Sequence, residues 1–445
     1  MKTNNITFGT NPQKLINTLP GALKPAAKLM ASQEGANALS NIRFVQDTVT
    51  NWAPKAIFSR SKADFAETSF LEFAESFLVY YCPKILGENV FRKAYSKNLG
   101  QSLGEKVSKP LAELKKDKTL LQNGGLKKLA PVKAAISLSC MAIPLTEFSL
   151  NYIKNLFTLK VFKQADFDNI ANLNKNGKTE KDETKTKVKK SAIRNIATAA
   201  ALFGGCLGAS MLLVKKGQSS KALQSFSDAL LDPGNKLFPN NKKHADFVNK
   251  YFSIDFADNN GKLALSRGQL TSCVVIGGAG YFGASKDRGK QNFLETLFRY
   301  PLVGFYVITG SELFEKGFKK ILKNKDSYKN IIKPNLDVPK FSELPQIAEK
   351  LAKQNKSSVE GEFAKLTKQK AIISGVPFLF SLGFMGLFVA GISRVFTQYR
   401  YDHDHKNDPD NITVKTFINP YSPKNMDDFK RRVATKQYLN FAKKA

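Results

Sequence analysis

AIISGVPFLFSLGFMGLFVAGIS, residues 371–393, runs for 23 residues without an Asp, Glu, Lys or Arg, between Lys370 and Arg394. Wound as a helix at about 1.5 Å per residue it reaches about 34 Å, enough to cross a hydrocarbon core of about 30 Å with some tilt. Two further uncharged stretches follow the same pattern. Residues 195–214 read NIATAAALFGGCLGASMLLV, 20 residues between Arg194 and Lys215, and residues 268–285 read GQLTSCVVIGGAGYFGAS, 18 residues between Arg267 and Lys286. Each stretch ends at a basic residue, whose stem can lie along apolar chains while its charge reaches the headgroups. A soluble protein of this length can bury one helix that is apolar all round. Three of them, each bracketed by cations, point to a bilayer.

Three weaker segments flank these. Residues 134–153 are interrupted by Glu147, residues 300–311 stop at Glu312, and residues 70–91 carry Glu72, Glu75, Lys84 and Glu88. Runs of this kind suit core, re-entrant or interfacial helices, and they cross a bilayer only if their charges face a bundle interior. The expected fold is therefore mostly α, a multi-pass helical membrane bundle of three spans and up to six.

The organisation expected around those spans has five parts. Residues 1–65 form a basic region rich in Asn, Thr and Ala, without the apolar stretch of a secretory signal peptide. Residues 66–214 are a helical membrane-associated region ending in the span 195–214. Residues 215–267 lie outside the membrane, residues 268–396 hold the spans 268–285 and 371–393, and residues 397–445 are a basic tail. Within 215–267, Phe252, Ile254 and Phe256 alternate with polar residues before Asn259-Asn260-Gly261, and Leu263 and Leu265 alternate after it. That pattern predicts a small β-hairpin. Ser357 and Glu360 have capping-box spacing, so a helix starting there is expected to run on into the last span.

Composition narrows the function classes. The chain of 445 residues holds 69 Lys and Arg against 37 Asp and Glu, a net charge of +32. Such an excess suits a polyanion, either nucleic acid or an anionic membrane surface. The surplus is spread over every polar segment, whereas a nucleic-acid face concentrates basic and aromatic residues. Only residues 429–441 (FKRRVATKQYLNF) mix the two, and they read as an amphipathic tail on an anionic membrane. The expected partners are the lipid bilayer and anionic headgroups, with nucleic acid disfavoured and no protein partner specified.

The candidate site residues are few. Gly204 with Gly208, and Gly277, Gly280 and Gly283, leave little side chain on a helix face, so they are read as helix-packing positions. Residues 278–283 are also a literal GxGxxG, but no alternating strand-helix series surrounds them, so nucleotide binding is disfavoured. Residues 172–183 have EF-hand offsets with Asn in place of the first Asp and lysines all around, which reads as a turn. Cys82, Cys140, Cys206 and Cys273 lie one per apolar segment and behave as small hydrophobes. Glu312 and Glu315 have lysines four residues on, whereas Glu147 has none, which makes Glu147 the candidate intramembrane carboxylate.

With three histidines in the chain, His403 and His405 sharing one turn, no nucleophile-base-acid set or closed metal site can be assembled. No catalytic residue, metal ligand or cofactor is assigned. The expected role is structural, interactive or transport, through packed glycine-rich helices. The alternatives are a peripheral basic protein on lipid or nucleic acid, and a transporter that uses an intramembrane carboxylate.

Overall fold

Charge placement decides how the helices face. In α1 (Lys62–Tyr80), Ser61 caps the first turn by accepting from the Asp64 amide. Around the helix, Asp64, Glu67 and Glu72 are buried, while Phe65, Phe73 and Phe77 are exposed at 45%, 41% and 51%. A helix in a water-soluble bundle turns its aromatic face inward. Here the polarity is inverted, with carboxylates inside and phenyl rings outside.

The structure, a computed structural model, describes residues 12–32, 44–45, 48–174, 182–256 and 265–406. Of these, 81% are helical and none lies in a strand. The chain divides into two units, Met1–Arg394 and Val395–Ala445. The first is built around α2 (Gly125–Ser139) and α3 (Ala142–Val161), which meet at Cys140 and Met141. α4 (Asp182–Lys216) and α6 (Arg267–Asp287) pack on them, and α5 (Lys242–Phe252), α7 (Lys290–Phe305), α8 (Ser311–Lys323) and α9 (Val359–Ser381) complete the unit. From α9 the helix continues through wider π-type turns at Leu382–Gly391 into α10 (Ile392–Asp404). Of the second unit, the described residues are the last turns of α10, where the His405 ring stacks on Tyr401 at 4.2 Å.

Among the described residues, three helical runs are long and apolar enough to cross a membrane: Gly125–Val161, Asp182–Lys216 and Val359–Asp404. The last two contain the expected spans 195–214 and 371–393. The third is not 268–285. That stretch does form a helix, α6, but its Gly, Ser, Thr and Gln residues lower its apolar content, and much of it is buried against its neighbours. Its place is taken by Gly125–Val161, which includes the weaker segment 134–153. The runs differ in what surrounds them. The apolar stretch of Gly125–Val161 is 78% buried, against 17% for Asp182–Lys216 and 28% for Val359–Asp404. Leu202, Met211, Leu379 and Leu387 are accordingly exposed. Contiguous exposed apolar surface of this kind is what a bilayer or a partner covers.

Some local expectations are corrected and others are met. Phe252 is the last residue of α5, and residues 253–256 lie without regular structure, Phe256 being buried among Val132, Ile136 and their neighbours. The turn 259–261 and Leu263 fall outside the described residues, so no hairpin is seen among those described. The cap of α9 is Ser358, one residue later than the spacing predicted, while the Ser357 hydroxyl donates to Glu362 at 3.0 Å. Residues 278–283 lie within α6, not in a phosphate-binding loop. The pairs Glu312–Lys316 and Glu315–Lys319 form at 2.5 Å each. Parts of 172–183 and all of 429–441 lie outside the described residues.

A polar layer built by residues 107–117 and 230–256 caps the bundle. Lys133 of α2 is fully buried, donating to the carbonyls of Val107 at 2.9 Å and Lys109 at 2.7 Å, and lying 2.9 Å from Asp255. Asp255 in turn accepts from the Leu111 amide at 2.8 Å. Nearby, burial would push the Asp232 carboxyl up, but the Lys115 ammonium and the Asn235 and Asn249 amides hold it below the usual carboxylate range.

Candidate functional site

α3 packs tightly against α6, and glycines make it possible. A Cβ placed on Gly277 would sit 2.6 Å from Glu147 Oε1, and one on Gly280 would sit 2.6 Å from the Phe148 carbonyl oxygen. One on Gly283 would run into the Tyr152 hydroxyl. The interval of three places all three on one face of α6. Across the seam, Asn155 of α3 donates to the Ala284 carbonyl at 3.0 Å. Gly204 and Gly208 differ: nothing lies within 4 Å of a Cβ on either, so α4 keeps its small-residue face open in the described chain. Two of the candidate residues thus converge, since Gly277 provides the space in which the Glu147 carboxylate lies.

Glu147 faces a cavity of about 100 Å³, lined also by Glu72, Glu75, Tyr281 and Tyr300. The Tyr281 hydroxyl donates to Glu75 at 3.2 Å, and the Tyr300 hydroxyl donates to the Val274 carbonyl at 2.7 Å. The second carboxyl oxygen of Glu75 is buried without a hydrogen-bond partner. Glu72 pairs with Lys55, and Cys273 lines the same cavity as Glu147. Three carboxylates thus share the wall with two cations, Lys55 and Arg299. That is a local surplus of acidic over basic side chains inside a strongly basic chain.

Two further spaces adjoin it. Toward the polar layer lies a vestibule of about 920 Å³ that shares Asn51, Val79, Tyr80, Leu270 and Val307 with the carboxylate cavity. Five acidic side chains line it against four basic ones, so it too is acid-weighted. On the other side lies a space of about 50 Å³ that shares Lys55, Glu72, Tyr281, Thr296 and Arg299. Its walls are joined by buried ion pairs. Arg288 clasps Glu67 through both terminal nitrogens, at 2.8 and 2.5 Å, and Thr158 donates to the same carboxylate. Arg60 reaches Glu295 at 3.1 Å.

Arg394 was expected at the headgroups, as the cation that ends the span 371–393. It is buried instead, donating to the Lys55 carbonyl at 2.6 Å and lying 3.6 Å from Asp64. The buried Asp64 carboxylate of α1 draws the guanidinium inward, because a buried charge needs a partner.

Glu147 was visible in the sequence as an acid in an apolar segment. Asp64, Glu67, Glu72 and Glu75 were not, because they looked like charges that disqualify a span. The signal was present, since at about 100° per residue the four fall on one side of a helix while Phe65, Phe73 and Phe77 fall on the other. Among the described residues no group of His, Cys, Asp and Glu is arranged to hold a metal ion. No protein family, curated protein or solved structure matches the chain.

Proposed function

We propose that the chain is an integral membrane protein that passes a proton or a small cation along the acid-weighted vestibule and the Glu72–Glu75–Glu147 cavity. The observation that carries this reading is the inverted polarity of α1. A helix with carboxylates in the bundle and phenylalanines on the outside is stable where the surroundings are apolar and the interior is wet or charged. Its apolar outer surface is continuous in kind with that of α4 and α9, which supports lipid as the surrounding medium. Surplus carboxylates lining an internal space concentrate cations and exclude anions at short range, where the low dielectric magnifies each charge. Tyr281 and Tyr300 supply hydroxyls between which a proton can be handed on. The basic residues in the last turn of α4, Lys215 and Lys216, suit anionic headgroups.

The test is flux in proteoliposomes containing the full chain, read with an internal pH dye and with a potassium gradient. Glu147→Gln removes the charge at nearly constant shape. The expected result is a loss of flux of about tenfold or more, since a barrier change of only about 1.4 kcal/mol suffices for that factor. Unchanged flux would remove Glu147 from the path.

A further inference from the structure

The 50 Å³ space beyond the carboxylate cavity has the opposite character, and nothing in the proposed cation path uses it. Six cationic side chains line it against four carboxylates. The contacts described above engage the terminal nitrogens of Arg288 and Arg394 but leave donors over. Arg288 Nε, Arg394 Nε and Asn292 Nδ2 are all buried without a hydrogen-bond partner. Their residues are 1%, 6% and 8% exposed, and all three line this one space. An arginine brings five N–H donors in a fixed fork, so its Nε cannot turn elsewhere once the terminal nitrogens are held. Buried donors without partners are costly unless something unseen satisfies them.

Two occupants could do so. Water needs about 10–15 Å³ of such space per molecule and both donors and acceptors around it, whereas the leftover groups are donors. Water also leaves the cationic surplus unanswered, and in a low-dielectric interior that surplus is the larger cost. A small anion answers both at once. We infer that this space, walled by Arg288, Arg394 and Asn292, is a binding site for a small monovalent inorganic anion of the halide class. The anion accepts from the three unpartnered donors and offsets the local positive charge. Lys55, Glu72 and Arg299 form the wall between this site and the carboxylate cavity, so the anion sits one residue layer from the cation path. A polyatomic oxyanion such as phosphate is disfavoured by the size of the space and by the four carboxylates already in its walls.

The experiment is thermal unfolding of the full chain in detergent, titrated with sodium chloride or sodium bromide, the ionic strength held constant with gluconate. A ligand that binds only the folded state raises its stability by a saturable amount. The expected result is a saturable rise of the midpoint by a few degrees with either halide and none with gluconate. Asn292→Asp places a carboxylate among the donors and supplies the negative charge itself, so its halide affinity is expected to fall at least tenfold. Asn292→Leu removes one donor without adding charge and is expected to weaken binding by a smaller factor. If chloride and gluconate curves coincide for the unsubstituted chain, the space holds water only and the inference fails. If both variants respond to halide as the parent does, the anion binds elsewhere and the inference also fails. Should neither variant fold, the anomalous signal of bromide in crystals of the parent protein decides: density beside Arg288 and Asn292 supports the site, and its absence there overturns it. Because binding is read in detergent, failed ion flux would leave this site standing, and failed halide binding would leave the cation path standing.

Discussion

Lys133→Met is expected to destabilise the protein by about 3–5 kcal/mol, the cost of removing one partner from a buried ion pair. The Lys133 ammonium is fully buried and bonded to the Val107 and Lys109 carbonyls. It lies 2.9 Å from Asp255 and 4.8 Å from the Phe256 ring centroid. Methionine fills the stem but leaves the Asp255 carboxylate without its cation and two carbonyls without their donor. That lysine ties residues 107–111 and 253–256 to α2, together with the Phe256 amide, which donates to the Ser137 hydroxyl at 3.2 Å. Denaturant unfolding in detergent measures the loss. Asp255→Asn is expected to cost a comparable amount, and the double variant clearly less than the two losses added, because neither is then left with an unpaired charge. Strict additivity would show that the pair is not a unit.

Gly280→Ala is the second large effect, and it comes with an internal control. An added Cβ would lie 2.6 Å from the Phe148 carbonyl oxygen and 2.8 Å from its Cα. Both are backbone atoms, so no rotamer change can make room and α3 and α6 must move apart. Overpacking of this kind costs about 1–3 kcal/mol, and more where backbone must shift. It would also open the wall between Glu147 and Gly277, so flux in proteoliposomes is expected to fall with it. Gly204→Ala presents the same chemistry with nothing within 4 Å. There the gain in helix propensity, about 0.5–1 kcal/mol, is expected to stabilise. Equal effects at the two positions would contradict the packing just described.

The contrast between those glycines shows what a sequence carries and what it does not. Gly204, Gly208, Gly277, Gly280 and Gly283 all permit close helix approach, but among the described residues only the last three have atoms of another helix against them. Permission is local, whereas the partner is set by tertiary packing. The same holds for the spans. Residues 195–214 and 371–393 were legible because nothing interrupts them. Residues 125–161 were not, because Lys133 and Glu147 break the run, and both turn out to be buried against partners. Residues 268–285 were read as a span from their lack of charge, although their small polar residues suit a helix packed inside the bundle. Arg394 looked like a headgroup anchor from its position alone. Its inward turn depends on the carboxylates of α1, more than 300 residues earlier in the chain.

The site was legible only in Glu147, the acid of an apolar segment with no lysine four residues on. The other carboxylates sit on a segment whose charges argue against a span when counted, and for an inward polar face when placed on a helical wheel. The charge of +32, spread evenly along the sequence, likewise conceals a spatial separation: acid-weighted spaces on one side of Lys55 and Arg299, a cation-weighted space on the other.

The central claim is that the exposed phenylalanines of α1 and the exposed apolar faces of α4 and α9 lie against lipid. Alkaline carbonate extraction of membranes from cells expressing the full chain tests it most directly, since that treatment releases proteins held by charge and retains those held by apolar burial. The chain is expected to remain in the membrane pellet at high pH and high salt. Its release into the supernatant would contradict the account.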